Sequence, residues 1–137
     1  MRVLVPMDDS EMAERALEYA LDVFDDAEIT VLTVVGEPSI MWGEAAAIAI
    51  ADDMQEAAEE HGQTVADRAH EIAADHDAEV DVTVLTGHPA RAILDAAEDH
   101  DTVVVGSHGG SVADRLVIGN VAEKVFRRAP IPVTVVR

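Results

Sequence analysis

Three glycines near the C-terminal end are the residues whose spacing best suits chemistry. Gly106, Gly109 and Gly119 stand in the stretch VVVGSHGGSVADRLVIGN, residues 103–120, separated by two intervening residues and then by nine. Glycine tolerates positive φ and carries no Cβ, so successive backbone N–H groups can converge on phosphate oxygens. A helix that starts after such a turn adds its positive dipole end. The competing reading is that these glycines only shape turns. A Walker-type loop is excluded, because no Gly-Lys-Ser/Thr is present and Lys124 comes five residues after the last glycine. Other chemistries find less support. Ser107 and His108 are adjacent but do not form a Gly-x-Ser-x-Gly elbow. His70 and Glu71 lack metal-binding company at close spacing. The chain has no cysteine, which removes thiolate zinc sites, cysteine nucleophiles and disulfides together.

Charge sharpens the anion argument. The 137 residues hold 28 Asp and Glu against 9 Lys and Arg, a formal net charge of −19. Residues 1–107 carry twenty-six acidic and four basic side chains, whereas residues 108–137 carry two acidic and five basic ones. The glycine segment therefore lies in the one region that welcomes an anion. An acidic surface with a single lysine, Lys124, suits a salt-rich cytoplasm, where screening acts within about 3 Å at molar ionic strength. This halophilic reading predicts that thermal stability falls on transfer from molar KCl to dilute buffer; an unchanged melting temperature would contradict it. The same charge argues against nucleic acid as a partner. No apolar run approaches bilayer length, and Asp8 and Asp9 cut short the apolar start, so a cytoplasmic protein with no membrane partner is expected.

The elements that must position these residues follow from periodicity. Arg2 to Pro6 reads as a buried strand, and Asp9 or Ser10 can cap the helix after it. That helix places Ala13, Ala16, Leu17, Ala20, Leu21 and Phe24 on one stripe and acidic residues on the other face. Glu28–Val35 is the second strand. Met41 and Trp42 fall in a loop before a helix over residues 52–76, whose inner stripe includes His61 and His76. Glu79–Thr86 is the third strand, and Gly87-His88-Pro89 opens a third helix with inner face Ala90, Ile93, Leu94 and Ala97. Thr102–Val105, a helix over 120–128 and a strand from Pro132 complete the series.

Alternating strands and helices over a single domain, residues 1–137, imply an α/β fold: a parallel sheet with helices on both faces. If the sheet is doubly wound, strand 4 returns beside strand 1, and a ligand is expected beyond the carboxyl ends of these two strands. The loops there are Pro6-Met7-Asp8-Asp9-Ser10 and Gly106-Ser107-His108-Gly109, so the glycines fall where topology expects a ligand.

The Gly-x-x-Gly, nine residues, Gly pattern followed by NVAEKVFRRAPIPVTVV resembles the universal stress protein family. So do the opening VLVPMDDSEMAERALEYAL and the later GHPARAILDAAEDHDTVVVGSHG; only residues 37–52 match nothing specific. The resemblance implies a three-layer, doubly wound, five-stranded parallel sheet of order 3-2-1-4-5, of the adenine nucleotide alpha hydrolase-like type. It implies ATP, with AMP or ADP as substitutes and Mg²⁺ as an accompanying ion, and a homodimer formed through the last strand, Val133 to Val136. By position, Asp8 accepts from the adenine amino group, and Val35 or Val34 presents backbone to the base. Gly106, His108 and Gly109 line ribose and phosphates; Gly119, Asn120, Val121 and Ala122 offer N–H groups to the phosphate tail. Asn120 departs from the Ser or Thr of the ATP-binding branch, and His108 stands where the family often has Arg. Pro6, Met7 and Ser107 complete the expected site. No positioned general base is recognisable, so turnover is not expected. The alternative is a dimeric interaction protein of the same fold without nucleotide.

Overall fold

Short runs of β-branched residues become strands here because both faces of the central strands are covered, so their positions all have something to pack against. The computed structural model describes residues 1–35, 44–108 and 119–137, with backbone alone over 44–54. Its elements are β1 (Arg2–Pro6), α1 (Glu11–Val23), β2 (Glu28–Val35), α2 (Glu44–Asp75), β3 (Asp81–Thr86), α3 (Pro89–Ala97), β4 (Thr102–Gly106), α4 (Asn120–Arg128) and β5 (Val133–Val136). All five strands are parallel, in the order β3-β2-β1-β4-β5.

Strand periodicity divides the core into two layers. Val3, Val5, Val31 and Val104 point toward α1 and α2, where Ala16, Leu17, Ala69 and Ile72 meet them. Leu4, Leu32, Val103 and Val105 point the other way, toward Ile93 and Ala97 of α3 and Ala122 and Val125 of α4. The small residues on α1 let that helix lie close over β1 and β4. Ser10 is its N-cap: the Ser10 hydroxyl accepts from the Ala13 N–H at 3.2 Å. Arg68 of α2 spans to Glu14 of α1 at 2.7 Å, and this hydrogen bond, with the carboxylate's charge, pushes the guanidinium above its ordinary range.

The structure departs from the sequence reading in several places, the smallest being a fifth strand that starts at Val133 and not at Pro132. Helix α2 begins at Glu44 and not near residue 52, because the alanine-rich stretch Ala45–Ala51 propagates a helix without any start signal. His61, expected on the inner stripe, is exposed; Gly62 takes the inward place, where an added Cβ would lie 2.7 Å from Val84 Cγ1. Counting back from Ala73, Ala69 and Ala66 in steps of three or four arrives at Gly62, so a stripe extended from Met54 arrives one residue out of phase. His76 does lie at a buried edge, with Nδ1 2.9 Å from the Ile72 carbonyl and Nε2 3.3 Å from Asp22. The third strand starts at Asp81 and forms a sheet edge on which Val84 and Leu85 are exposed. The fourth extends one residue further, to Gly106, which pairs with Val136. The expected loop at Met41 and Trp42 lies outside the described residues. Among the described residues, no helix is long and apolar enough to cross a membrane.

Candidate functional site

Strand β1 is followed by a helix on one face of the sheet, and β4 by a helix on the other. Their carboxyl ends are neighbours whose chains turn apart, and a crevice opens between them. It forms a cavity of about 580 Å³. The floor is apolar: Leu32 and Val34 of β2, Val105 of β4 and Ile93 of α3. Polar groups stand at its rim, from Asp8 after β1, His108 after β4 and the first turn of α4.

Each rim group is held by local structure. Asp8 Oδ1 accepts from the Ser10 N–H at 2.9 Å and from the Ser10 hydroxyl. This fixes the carboxylate and leaves Oδ2 without a partner among the described residues. Beyond β1, the Met7 N–H donates to the Leu32 carbonyl at 2.9 Å, so the backbone groups of Leu32 face β1. Val34, two residues on, faces the same way, past the point where β1 has ended. Its N–H and C=O are thus turned to the crevice.

The glycines have a more specific role than a bare loop. Gly106 is buried, and a Cβ there would meet Met12 Cγ and the Met12 carbonyl oxygen, each at 2.9 Å. Its lack of a side chain lets the first turn of α1 close over β4. Gly119 has φ −63° and ψ 155°, ordinary extended backbone, so positive φ is not its reason either. A Cβ would come within 3.1 Å of His108 Cα, and the Gly119 N–H donates to the Ser107 carbonyl at 2.6 Å. Glycine here brings α4 against the β4 loop, with its own N–H already engaged. The Glu123 N–H is the first to find an intrahelical acceptor, on Gly119. The N–H groups of Asn120, Val121 and Ala122 therefore have no partner within the helix, and among the described residues no side chain caps them. All three residues line the cavity.

Of the expected site residues, Pro6, Met7, Asp8, Val34, Gly106, His108, Gly119, Asn120, Val121 and Ala122 share this wall. Ser107 lies just behind it, buried, with Oγ 3.2 Å from His108 Nδ1. Val35 points to the other layer, its Cγ1 lying 3.8 Å from where a Cβ on Gly62 of α2 would sit, and its carbonyl accepts from the Gly87 N–H at 2.9 Å. Of the two alternatives for backbone contact, then, Val34 is the one at the cavity. Gly109 lies outside the described residues. Ser10, Ala13, Leu32, Pro89, Ile93 and Val105 also line the cavity and are not among the expected site residues. Three of them are within reach of the sequence: Ser10 ends the loop after the first strand, Leu32 shares Val34's face by strand alternation, and Val105 precedes Gly106. Among the described residues no cluster of three or more His, Asp or Glu could hold a metal ion.

Comparison with known proteins agrees with this architecture. A model of the universal stress protein family matches residues 1–137. A universal stress protein of Methanocaldococcus jannaschii is 27% identical over 140 residues, covering 99% of this chain and 81% of that protein. The stress response protein NhaX of Bacillus subtilis is 28% identical, over 99% of this chain and 97% of its own length. In fold, the chain is similar to universal stress protein UspA from Lactobacillus plantarum, with TM-score 0.86 at 24% identity, covering 100% and 97% of the two chains. Three more distant structures of the same fold were solved with nucleotides. One is a universal stress protein in complex with cAMP (TM-score 0.72, 24% identity). Another is a family protein from Arabidopsis thaliana with AMP bound (0.71, 20%), and the third is the Archaeoglobus fulgidus protein with dAMP (0.66, 22%). Each covers at least 99% of this chain and 90% of its own.

Proposed function

We propose that this chain, which belongs to the universal stress protein family, binds an adenosine phosphate in the crevice between β1 and β4 and acts as a nucleotide-responsive module. One observation carries the reading. A carboxylate with one oxygen left over, an apolar floor and three helix N–H groups without a partner among the described residues converge on one cavity. The nucleotides in the cAMP, AMP and dAMP complexes of similar folds support the choice of ligand class.

In this reading adenine lies on Leu32, Val34 and Ile93. Its amino group donates to Asp8 Oδ2, and the Val34 backbone meets its ring edge. Ribose passes Gly106, and the phosphates receive N–H groups from Asn120, Val121 and Ala122, aided by the helix dipole. The Asn120 side chain is exposed at the first helical position, where its amide can donate to a phosphate as a Ser or Thr hydroxyl would. The recognised parts are common to AMP, ADP and ATP; a Mg²⁺ ion would accompany the longer phosphates. No step beyond binding is assigned.

A second copy of the chain is the partner we assign, joined through β5. Val133–Val136 is an edge strand whose residues are all half-exposed, and such edges pair readily. Light scattering should show a dimer, and a monomer that still binds nucleotide would remove this part alone.

The direct test is to purify the protein in molar KCl, denature it and assay the supernatant for adenine nucleotides. Bound nucleotide, or a rise in melting temperature on adding AMP or Mg-ATP, is the expected result. Neither would leave the same-fold interaction protein as the better reading.

A further inference from the structure

We propose that His108 sets how strongly the site holds a phosphate, so that affinity for the phosphate group, as distinct from the nucleoside, rises when His108 takes up a proton. The inference rests on the nucleotide reading above.

The cavity wall is the first ground. Among the described residues that line it, Asp8 and His108 are the only ionisable ones, and none is Lys or Arg. Neutral N–H donors from α4 can orient a phosphate, but the chain's net charge of −19 opposes any polyanion. The imidazole is the one described group on the wall that can supply a compensating positive charge.

The second ground is how the ring is seated. Its Nδ1 lies 3.2 Å from the buried Ser107 hydroxyl. A hydroxyl donates to a bare ring nitrogen and, after rotating, accepts from a protonated one. Both charge states of His108 are therefore satisfied at Nδ1 without moving a neighbour. Gly119 holds the first turn of α4 against the His108 backbone, so the ring and the three N–H groups without a helix partner address the same space.

The surrounding charges make proton and phosphate cooperative. A bound phosphate brings negative charge beside the ring, so phosphate and proton each favour the other's binding. Among the described residues at the ends of the elements packed nearby, the charged groups are Asp8 and Asp9 after β1 and Glu11 of α1. On α3 they are His88 and Arg91; on α4, Glu123 and Lys124, with Glu123 paired to Arg127 at 3.1 Å; and Arg137 follows β5. Only Asp8 lines the cavity, on the base side, so its influence on adenosine and on an adenosine phosphate is shared.

The test compares two ligands by calorimetry on the full chain at constant, high ionic strength. Adenosine carries no phosphate. The methyl ester of adenosine 5′-monophosphate is a phosphodiester whose single charge does not change across the range. The ratio of ester to adenosine affinity is expected to be at least about fivefold higher near pH 5.5 than near pH 8. In His108→Gln the ratio should be low and equal at both; in His108→Arg, high and equal at both. A flat ratio in the wild type, or a slope that survives in His108→Gln, overturns the proposal. Should the variants not fold, NMR of the wild-type imidazole serves as well. By linkage its protonation midpoint must rise by about 0.7 or more with the ester and stay put with adenosine. An unmoved midpoint overturns the proposal. Binding of both ligands with a flat ratio removes this inference alone, whereas binding of neither removes the nucleotide reading with it.

Discussion

Gly106→Ala should cost this protein more than any other single methyl group at the site, about 1–3 kcal/mol and at the upper end of that range. The added carbon would sit 2.9 Å from two atoms of Met12. Met12 Cγ belongs to a flexible side chain and can swing aside. The Met12 carbonyl oxygen cannot, because it belongs to the first turn of α1, which is pinned by the Ser10 cap and by Ala13, Ala16 and Leu17 in the core. Either α1 lifts from the sheet or β4 shifts against β5, to which Gly106 is paired through Val136. With total stabilities near 5–15 kcal/mol, such a loss is visible as a lower urea midpoint with an unchanged slope. Lifting α1 also displaces Asp8 and Ser10, so nucleotide affinity should fall with stability. Gly119→Ala is the informative contrast. Its Cβ would approach His108 Cα at 3.1 Å, which a shift of a few tenths of an ångström relieves, so binding should suffer more than the urea midpoint. Equal midpoints for Gly106→Ala and the wild type would mean that α1 packs less closely on β4 than described.

Asp8→Asn should exchange one base for another. The substitution keeps Oδ1, which accepts from the Ser10 N–H and hydroxyl, so the loop and the helix cap survive. It replaces Oδ2, an acceptor, with an N–H₂ donor. Against the adenine amino group this sets donor against donor, and AMP affinity should drop about tenfold to a hundredfold. Hypoxanthine carries a carbonyl at the same position, so IMP should gain where AMP loses. Thermal shift and calorimetry with the two nucleotides, at matched ionic strength, read both changes at once. The crossing pattern matters because a merely damaged pocket would weaken both ligands alike. If AMP binds Asp8→Asn as tightly as the wild type, the adenine lies elsewhere in the crevice.

Most of the frame was legible in the residues, for physical reasons. Runs such as Val3-Leu4-Val5 and Val103-Val104-Val105 are apolar on both alternating faces, which only a sheet covered on both sides can satisfy. The stripe of α1, the Pro at the start of α3 and the turn at Gly87 are local signals, and local signals survive folding. Where the signal was composition and not pattern, the reading faltered. The alanine-rich start of α2 has no cap to mark it, and the phase of its stripe drifts enough over three turns to exchange His61 for Gly62.

What the chain determined alone was the succession of strands and helices, the covered parallel sheet and the place where a ligand would meet it. These follow from periods of 2.0 and 3.6 residues and from turn chemistry, all within a few residues of each other. Tertiary structure decided what the glycines are for. In isolation Gly106 and Gly119 suggested backbone bared to phosphate. In the fold, Gly106 admits a helix from about a hundred residues earlier, and Gly119 spends its N–H on Ser107. It also turned Val34, and not Val35, to the cavity, and left three N–H groups of α4 without a partner among the described residues. Contacts between residues so far apart depend on where whole elements settle against one another, and no short-range pattern encodes that distance.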